Sequence, residues 1–222
     1  FRRVLFRSNK MQKKVKKIKI VVFDFDGTLI DLWPRYHAVF STLTSSNVSM
    51  DLYRDVKKRL RRDEDVANEL GVTLCVDYFK RKVELLEDKD YLKLDRLLFT
   101  HEELEELLFG NSLILTKRRN KENFEWELEQ LGIEANYQVI TKGSKEEWVR
   151  ENIHESVVVF GDSVEDLCIG HILVTVVYMV GYGLGDRRQF DVEHIPYHFF
   201  TNEIKHQHPD FIRIQQLVSL TI

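Results

Sequence analysis

Short apolar runs recur along this chain, each followed by turn residues and then by a helical pattern, which is the periodicity of a parallel sheet with helical crossovers. The runs that read as strands cover 18–23, 113–115, 137–140, 157–160, 174–179 and, more weakly, 197–200. Between the second and third, NKENFEWELEQLGI sets Phe124, Leu128 and Leu131 at helical spacing and stops at Gly132. Between the third and fourth, KEEWVRENI predicts a short helix. The fold class expected is α/β, a three-layer α/β/α Rossmann-like core around a parallel sheet.

The interval between the first and second strands breaks this rhythm. DLYRDVKKRLRRDEDVANEL, TLCVDYFKRKVELL and HEELEELLF are highly charged, periodically apolar and free of a convincing strand-turn-strand signal, so they read as helices. The expectation is an inserted all-α cap domain. Placed after the first strand, it would sit above the sheet's C-terminal edge, where open α/β sheets bind ligands. The chain then divides into a basic tail at 1–16, a core at 17–31 and 105–222, and a helical cap at 32–104.

Composition adds limits. With 43% apolar residues over 222, there is ample material for a core. The net charge of −3 is unevenly spread: nine of the 33 basic residues fall in 1–19 with no acid, leaving 24 basic against 36 acidic residues, or −12, in the rest. That body argues against nucleic-acid binding. The basic start reads as a solvated tail, with a polyanion or membrane-surface contact as the alternative. FRRVLFRS, residues 1–8, precedes Met11 and reads as an artefact of translated adapter DNA. No apolar stretch approaches the roughly 18 to 20 residues of a membrane span, so a soluble, cytoplasmic protein with no membrane partner is expected. Cys75 and Cys168 form neither a metal-ligand pair nor a disulfide framework.

Candidate chemistry begins at DFDGT. Asp24 falls at the end of the first strand, alternation lets Asp26 point the same way, and Gly27 permits a tight turn. Two carboxylates 4 Å apart repel by about 4 kcal/mol at an effective dielectric near 20, so a proton or a cation must compensate. GDSVED supplies a second acidic pair, Asp162 and Asp166, one helical turn apart after the fourth strand. Four carboxylates on one sheet edge, with no histidine or cysteine cluster among them, suit Mg²⁺, which keeps room for a phosphate. SLILT ends in the hydroxyl of Thr116, and ITKGSKEEW offers Lys142 or Lys145. Nucleophile, acid, metal ligands, hydroxyl and cation are the parts of a phosphoryl-transfer site.

With DFDGTL at 24–29, SLILT at 112–116, the Lys145 region and GDSVED at 161–166 in this order, the sequence resembles the haloacid dehalogenase (HAD) superfamily of phosphohydrolases. The resemblance implies that Asp24 is the nucleophile and Asp26 the general acid and base. Asp162 would bind Mg²⁺ with Asp24 and the main-chain carbonyl of Asp26, and Asp166 would complete or support that shell. Thr116 would hold the phosphoryl group, and Lys145, or alternatively Lys142, would neutralise charge between it and the nucleophile. The helical insertion is similar to the cap of the family's helical-cap branch. Asp26 favours phosphate over halide chemistry, because carbon-halogen-cleaving members lack an aspartate there. The function implied is a Mg²⁺-dependent phosphatase of a small phosphorylated metabolite acting through a phospho-aspartate. The alternatives are a phosphomutase or phosphotransferase of the same fold, or a non-catalytic binding protein.

Other signals read more plainly. Arg118 is taken as solvated, with a substrate anion as its alternative partner. GYGLGD at 181–186 lacks the context of a dinucleotide loop and is placed beside the active site. His194, His198, His206 and His208 match no zinc signature. Trp33, Trp126 and Trp148 read as core anchors, Trp33 lying near enough to DFDGT to line the cap entrance.

Overall fold

The computed structural model describes residues 20–60, 62–172 and 175–200; the basic tail, His206 and His208 lie outside them. In chain order the strands are β1 (Ile20–Phe23), β2 (Ile30–Asp31), β3 (Arg96–Leu97), β4 (Ser112–Lys117), β5 (Tyr137–Ile140), β6 (Val157–Gly161), β7 (Thr175–Val180) and β8 (His198–Phe200). Helices α1 (Trp33–Thr44), α2 (Met50–Arg59), α3 (Asp63–Leu70), α4 (Tyr78–Leu86) and α5 (Lys89–Leu92) lie between β2 and β3. The remainder, α6 (His101–Leu108), α7 (Lys121–Gln130), α8 (Lys145–Asn152), α9 (Val164–Cys168) and α10 (Arg187–Asp191), alternate with the later strands.

Six strands form one parallel sheet in the order β5-β4-β1-β6-β7-β8. Side chains alternate between its two faces, as a pleated strand requires. Val21 and Phe23 of β1 and Val158 and Phe160 of β6 enter one core layer, with Phe124 and Leu128 of α7. Val22, Val157 and Val159 enter the other, with Val149 of α8, Leu167 of α9 and Phe190 of α10. Because both faces are covered, the strands read as continuous apolar runs. On the first face, Phe23 stacks on Phe160 at 5.1 Å, Phe160 on Tyr178 at 4.9 Å and Tyr178 on Phe200 at 5.2 Å. This aromatic row crosses four strands and fixes their register on that face.

Helices α1 to α5 enclose a separate apolar cluster built on Trp33, Phe40, Tyr53, Val66 and Tyr78. Two features depart from the sequence reading of the insertion. It is flanked by a short antiparallel pair, Ile30 on Leu97 and Asp31 on Arg96, which two-residue strands are too short to announce. In α6 the leucine face of HEELEELL buries Leu104 and Leu107 in the core layer of the sheet rather than among the inserted helices. A single amphipathic helix does not say which of two apolar surfaces it will meet. No helix among the described residues is long and apolar enough to cross a membrane.

Candidate active site

The chain leaves β1 for one side of the sheet (β4, β5) and returns to the other (β6, β7, β8), so β1 marks the topological switch where such sheets bind ligands. Asp24 follows β1 directly, its amide donating to the Phe160 carbonyl of β6 at 2.8 Å. The amides of Thr28, Leu29 and Ile30 then converge on the Phe25 carbonyl, closing a tight turn in which Gly27 takes φ +78°. Phe25 anchors this turn by packing edge-on against Phe124 at 5.0 Å. Asp24 and Asp26 are thereby held on either side of a buried aromatic ring.

The two carboxylates line one cleft but serve different partners. Asp24 Oδ1 accepts from Lys145 Nζ, which also donates to Asp166 Oδ1 at 2.7 Å. Asp24, Asp162 and Asp166, all buried, place ligand oxygens within 4.8 Å of one another. Burial, then Asp166, pushes the Asp24 carboxyl well above the usual range, against the pull of Lys145. Burial and Asp166 likewise push Asp162 up to about 7. Lys145 is raised despite its burial because Asp166 and Asp24 flank it. Three buried acids share one lysine, so the all-oxygen cluster has a deficit of positive charge that a hard cation fits.

Each member is placed by local sequence. Ser144 caps α8 in a reciprocal capping box with Glu147, fixing the helix start that carries Lys145. Ser163 does the same for α9 with Asp166, whose Oδ2 accepts from Ser163 N at 3.1 Å and Oγ at 2.6 Å while its Oδ1 meets Lys145. Capping and electrostatic roles thus belong to one side chain. Asp162 accepts from the Leu184 amide, and a Cβ at Gly183 would lie 2.0 Å from Asp162 Oδ2. The GYGLGD stretch is therefore the wall behind this acid. Lys142 is exposed and does not line the cleft.

Across the cleft, Asp26 is bound by two guanidiniums. Arg118 Nε and Nη2 grip Oδ2 and Oδ1 at 2.6 and 2.7 Å, and Arg35 Nη2 also donates to Oδ1. Burial opposes ionisation of Asp26, but Arg118 and Arg35 outweigh it and hold the carboxyl at about 2. Asp26 is not among the acids whose ligand oxygens gather within 4.8 Å of one another; its carboxylate is taken up by the guanidiniums, and the sequence reading gives it only its main-chain carbonyl at a metal. Thr116 is buried beside it, with Oγ1 at 3.5 Å from Asp26 Oδ2.

Arg118 is not solvated: it is 5% exposed, donates to Glu127 Oε2 at 2.9 Å, and keeps Nη1 without a hydrogen-bond partner among the described residues. Arg35 joins Asp95 at 3.1 Å. The sequence reading passed over Arg35, Asp95 and Glu127. No spacing links them, since they come from the inserted helices, the segment before β3, and α7. Trp33 is buried, donating from Nε1 to the Tyr182 carbonyl at 3.0 Å and so tying α1 to the wall loop.

No family model matches the chain, and no curated protein matches it in sequence. Solved structures do match in three dimensions: the chain has the fold of the HAD hydrolases. A HAD family hydrolase from Deinococcus radiodurans, with bound phosphate and sodium, is 11% identical at a TM-score of 0.61, covering 91% of this chain and 98% of that one. A conserved haloacid dehalogenase-like protein from Agrobacterium tumefaciens is 14% identical at a TM-score of 0.62, covering 91% and 97%. A predicted phosphoglycolate phosphatase from Haemophilus somnus is 15% identical at 0.57, covering 83% and 95%.

Proposed function

We propose that the protein is a HAD-type phosphatase that hydrolyses a small phosphorylated metabolite through a phospho-aspartate at Asp24, with α1 to α5 as a cap over the site. The observation that carries this reading is the convergence of Asp24, Asp162, Asp166 and Lys145 at the end of β1, facing Asp26, Thr116 and Arg118 across a cleft of about 250 Å³. Two fold neighbours, a predicted phosphoglycolate phosphatase and a HAD family hydrolase with bound phosphate and sodium, support it.

Asp24 attacks phosphorus, and the bond to the leaving oxygen breaks as that oxygen takes a proton from Asp26. Water then attacks the aspartyl phosphate and gives its proton to Asp26. The bond to Asp24 breaks, releasing inorganic phosphate and restoring both side chains. Held at about 2 by its guanidiniums, Asp26 is a base rather than an acid at neutral pH. A phosphoryl dianion competing for Arg118 and Arg35 raises the proton affinity of Asp26 towards that of a donor. Thr116 and the Arg118 guanidinium, which line the cleft, bind the transferring oxygens. Asp24, Asp162 and Asp166, with the main-chain carbonyl of Asp26, would hold Mg²⁺. The ion would supply positive charge that offsets the buried acids and the charge of the phosphoryl group.

The test is phosphate release from an aryl phosphate with Mg²⁺. Asp24→Asn is expected to lose turnover while keeping its circular dichroism spectrum, and full activity in that variant would remove Asp24 as nucleophile.

A further inference from the structure

Arg118 follows β4, and its guanidinium carbon lies 6.0 Å from the centre of the Phe25 ring and 5.9 Å from that of Phe124. Its Nη2 donates to two acids, Asp26 Oδ1 at 2.7 Å and Glu127 Oε2 at 2.9 Å, while Nε donates to Asp26 Oδ2 at 2.6 Å. Glu87 Oε2 lies 4.0 Å from Nη1, beyond hydrogen-bond reach. Phe124 and Glu127 are three residues apart on α7, so ring and carboxylate meet Arg118 from one face of that helix. Glu127 is 1% exposed and does not line the cleft. Besides Arg118 it meets Asp95, which burial keeps protonated at neutral pH and which donates to it. A carboxylate buried this deeply is costly unless paired, and its ion pair here is with the guanidinium that grips Asp26.

We propose that Glu127 is a positioning residue for the general acid and base: by taking the second N–H of Nη2 it fixes the plane of the Arg118 guanidinium, and Arg118 in turn sets how the Asp26 carboxylate faces the cleft. The inference rests on the phosphatase reading and goes beyond it, because Glu127 lies outside the cleft and acts through Arg118. Asp26 is thereby held from two bodies. Arg35 grips it from the inserted helices, backed by Asp95 and the Leu86 carbonyl, whereas Arg118, Glu127, Phe25 and Phe124 all belong to the core. The placement of Asp26 matters only for a leaving oxygen that needs its proton. An alkoxide needs it, and a nitrophenolate departs without it.

The experiment compares kcat/KM, which reports the steps up to departure of the leaving group, on an alkyl phosphate and a nitrophenyl phosphate. Glu127→Asp keeps the charge and draws the acceptor back by one methylene; it is expected to lower the alkyl-to-nitrophenyl ratio about 10- to 100-fold. Glu127→Gln keeps an acceptor at the same reach and should retain most of the wild-type ratio. A ratio unchanged in Glu127→Asp, whatever its Tm, would overturn the proposal, since a purely structural ion pair affects both esters alike. A ratio kept in Glu127→Asp and lost in Glu127→Gln would overturn it too, because charge rather than placement would then matter. Glu127→Met, which removes the acceptor altogether, is expected to behave as Glu127→Asp, so a folding failure of either leaves the other to decide. If wild type releases phosphate from neither ester, the phosphatase reading falls by itself. The Arg118 Nε–H resonance, assigned by its loss in Arg118→Lys, then decides the positioning. Loss of its protection from solvent exchange in Glu127→Asp, with protection kept in Glu127→Gln, upholds it, and unchanged protection in Glu127→Asp overturns it.

Discussion

Burial sets the proton affinity of the acids around the cleft, and neighbouring charge then separates them. Asp26 and Asp95 show the two limits. The guanidiniums of Arg118 and Arg35 keep Asp26 ionised, whereas burial pushes Asp95 up to about 9 in spite of Arg35, with Glu127 adding to the rise. Asp95 therefore binds a proton in the folded chain between pH 4 and 9 that the unfolded chain releases. Its contribution makes stability fall as pH rises through that window. Asp95→Asn should lessen the fall by up to about 1.4 kcal/mol per pH unit. Urea unfolding at pH 5, 7 and 8.5 checks this, and parallel slopes for variant and wild type would contradict it.

At the scale of elements, the site depends on how closely loops approach. The turn after β1 and the loop after β7 both crowd Asp162: a Cβ at Gly27 would come within 2.4 Å of its Oδ2 and one at Gly183 within 2.0 Å. Backbone is the only thing thin enough to pass there. Gly183→Ala is expected to cost about 1 to 3 kcal/mol, the range for overpacking, and to displace Asp162 from its acid partners. Chemical denaturation with a metal-binding titration tests both, and wild-type values would show that the loop yields freely. The helix starts are more legible. Ser144 and Ser163 begin capping boxes, and each helix carries a cluster residue, Lys145 or Asp166, in its first turn.

For the whole molecule, the site joins two apolar bodies. Trp33 and Lys58 of the inserted helices both donate to carbonyls of the 181–186 loop, and Arg35 reaches across to Asp26. The three-acid cluster is the other global element, because repulsion among its buried charges opposes folding until a cation relieves it. Mg²⁺ at 100 times its dissociation constant should stabilise the fold by about 2.7 kcal/mol. The rise in Tm should vanish with chelator and in Asp162→Asn. A Tm indifferent to Mg²⁺ in wild type would take the ion out of the cluster.

The sequence by itself determined the parallel α/β core and pointed to the acids and the lysine that the structure gathers at the end of β1. Apolar runs with turn chemistry betray strands buried on both faces, and Asp24, Asp162, Asp166 and Lys145 each stand at a strand end or a helix start that local pattern announces. It also placed the glycine-rich 181–186 segment beside the site. The tertiary structure alone decided where Asp26 points, that Arg118 is buried, and that α6 packs on the sheet. It also brought Arg35, Asp95 and Glu127 around one acid and two lysines of the inserted helices, Lys57 and Lys82, around another, Asp63. Those outcomes depend on contacts between residues far apart in the chain. Periodicity reports the face a side chain occupies, while its charge partner is set only when the inserted helices close on the sheet.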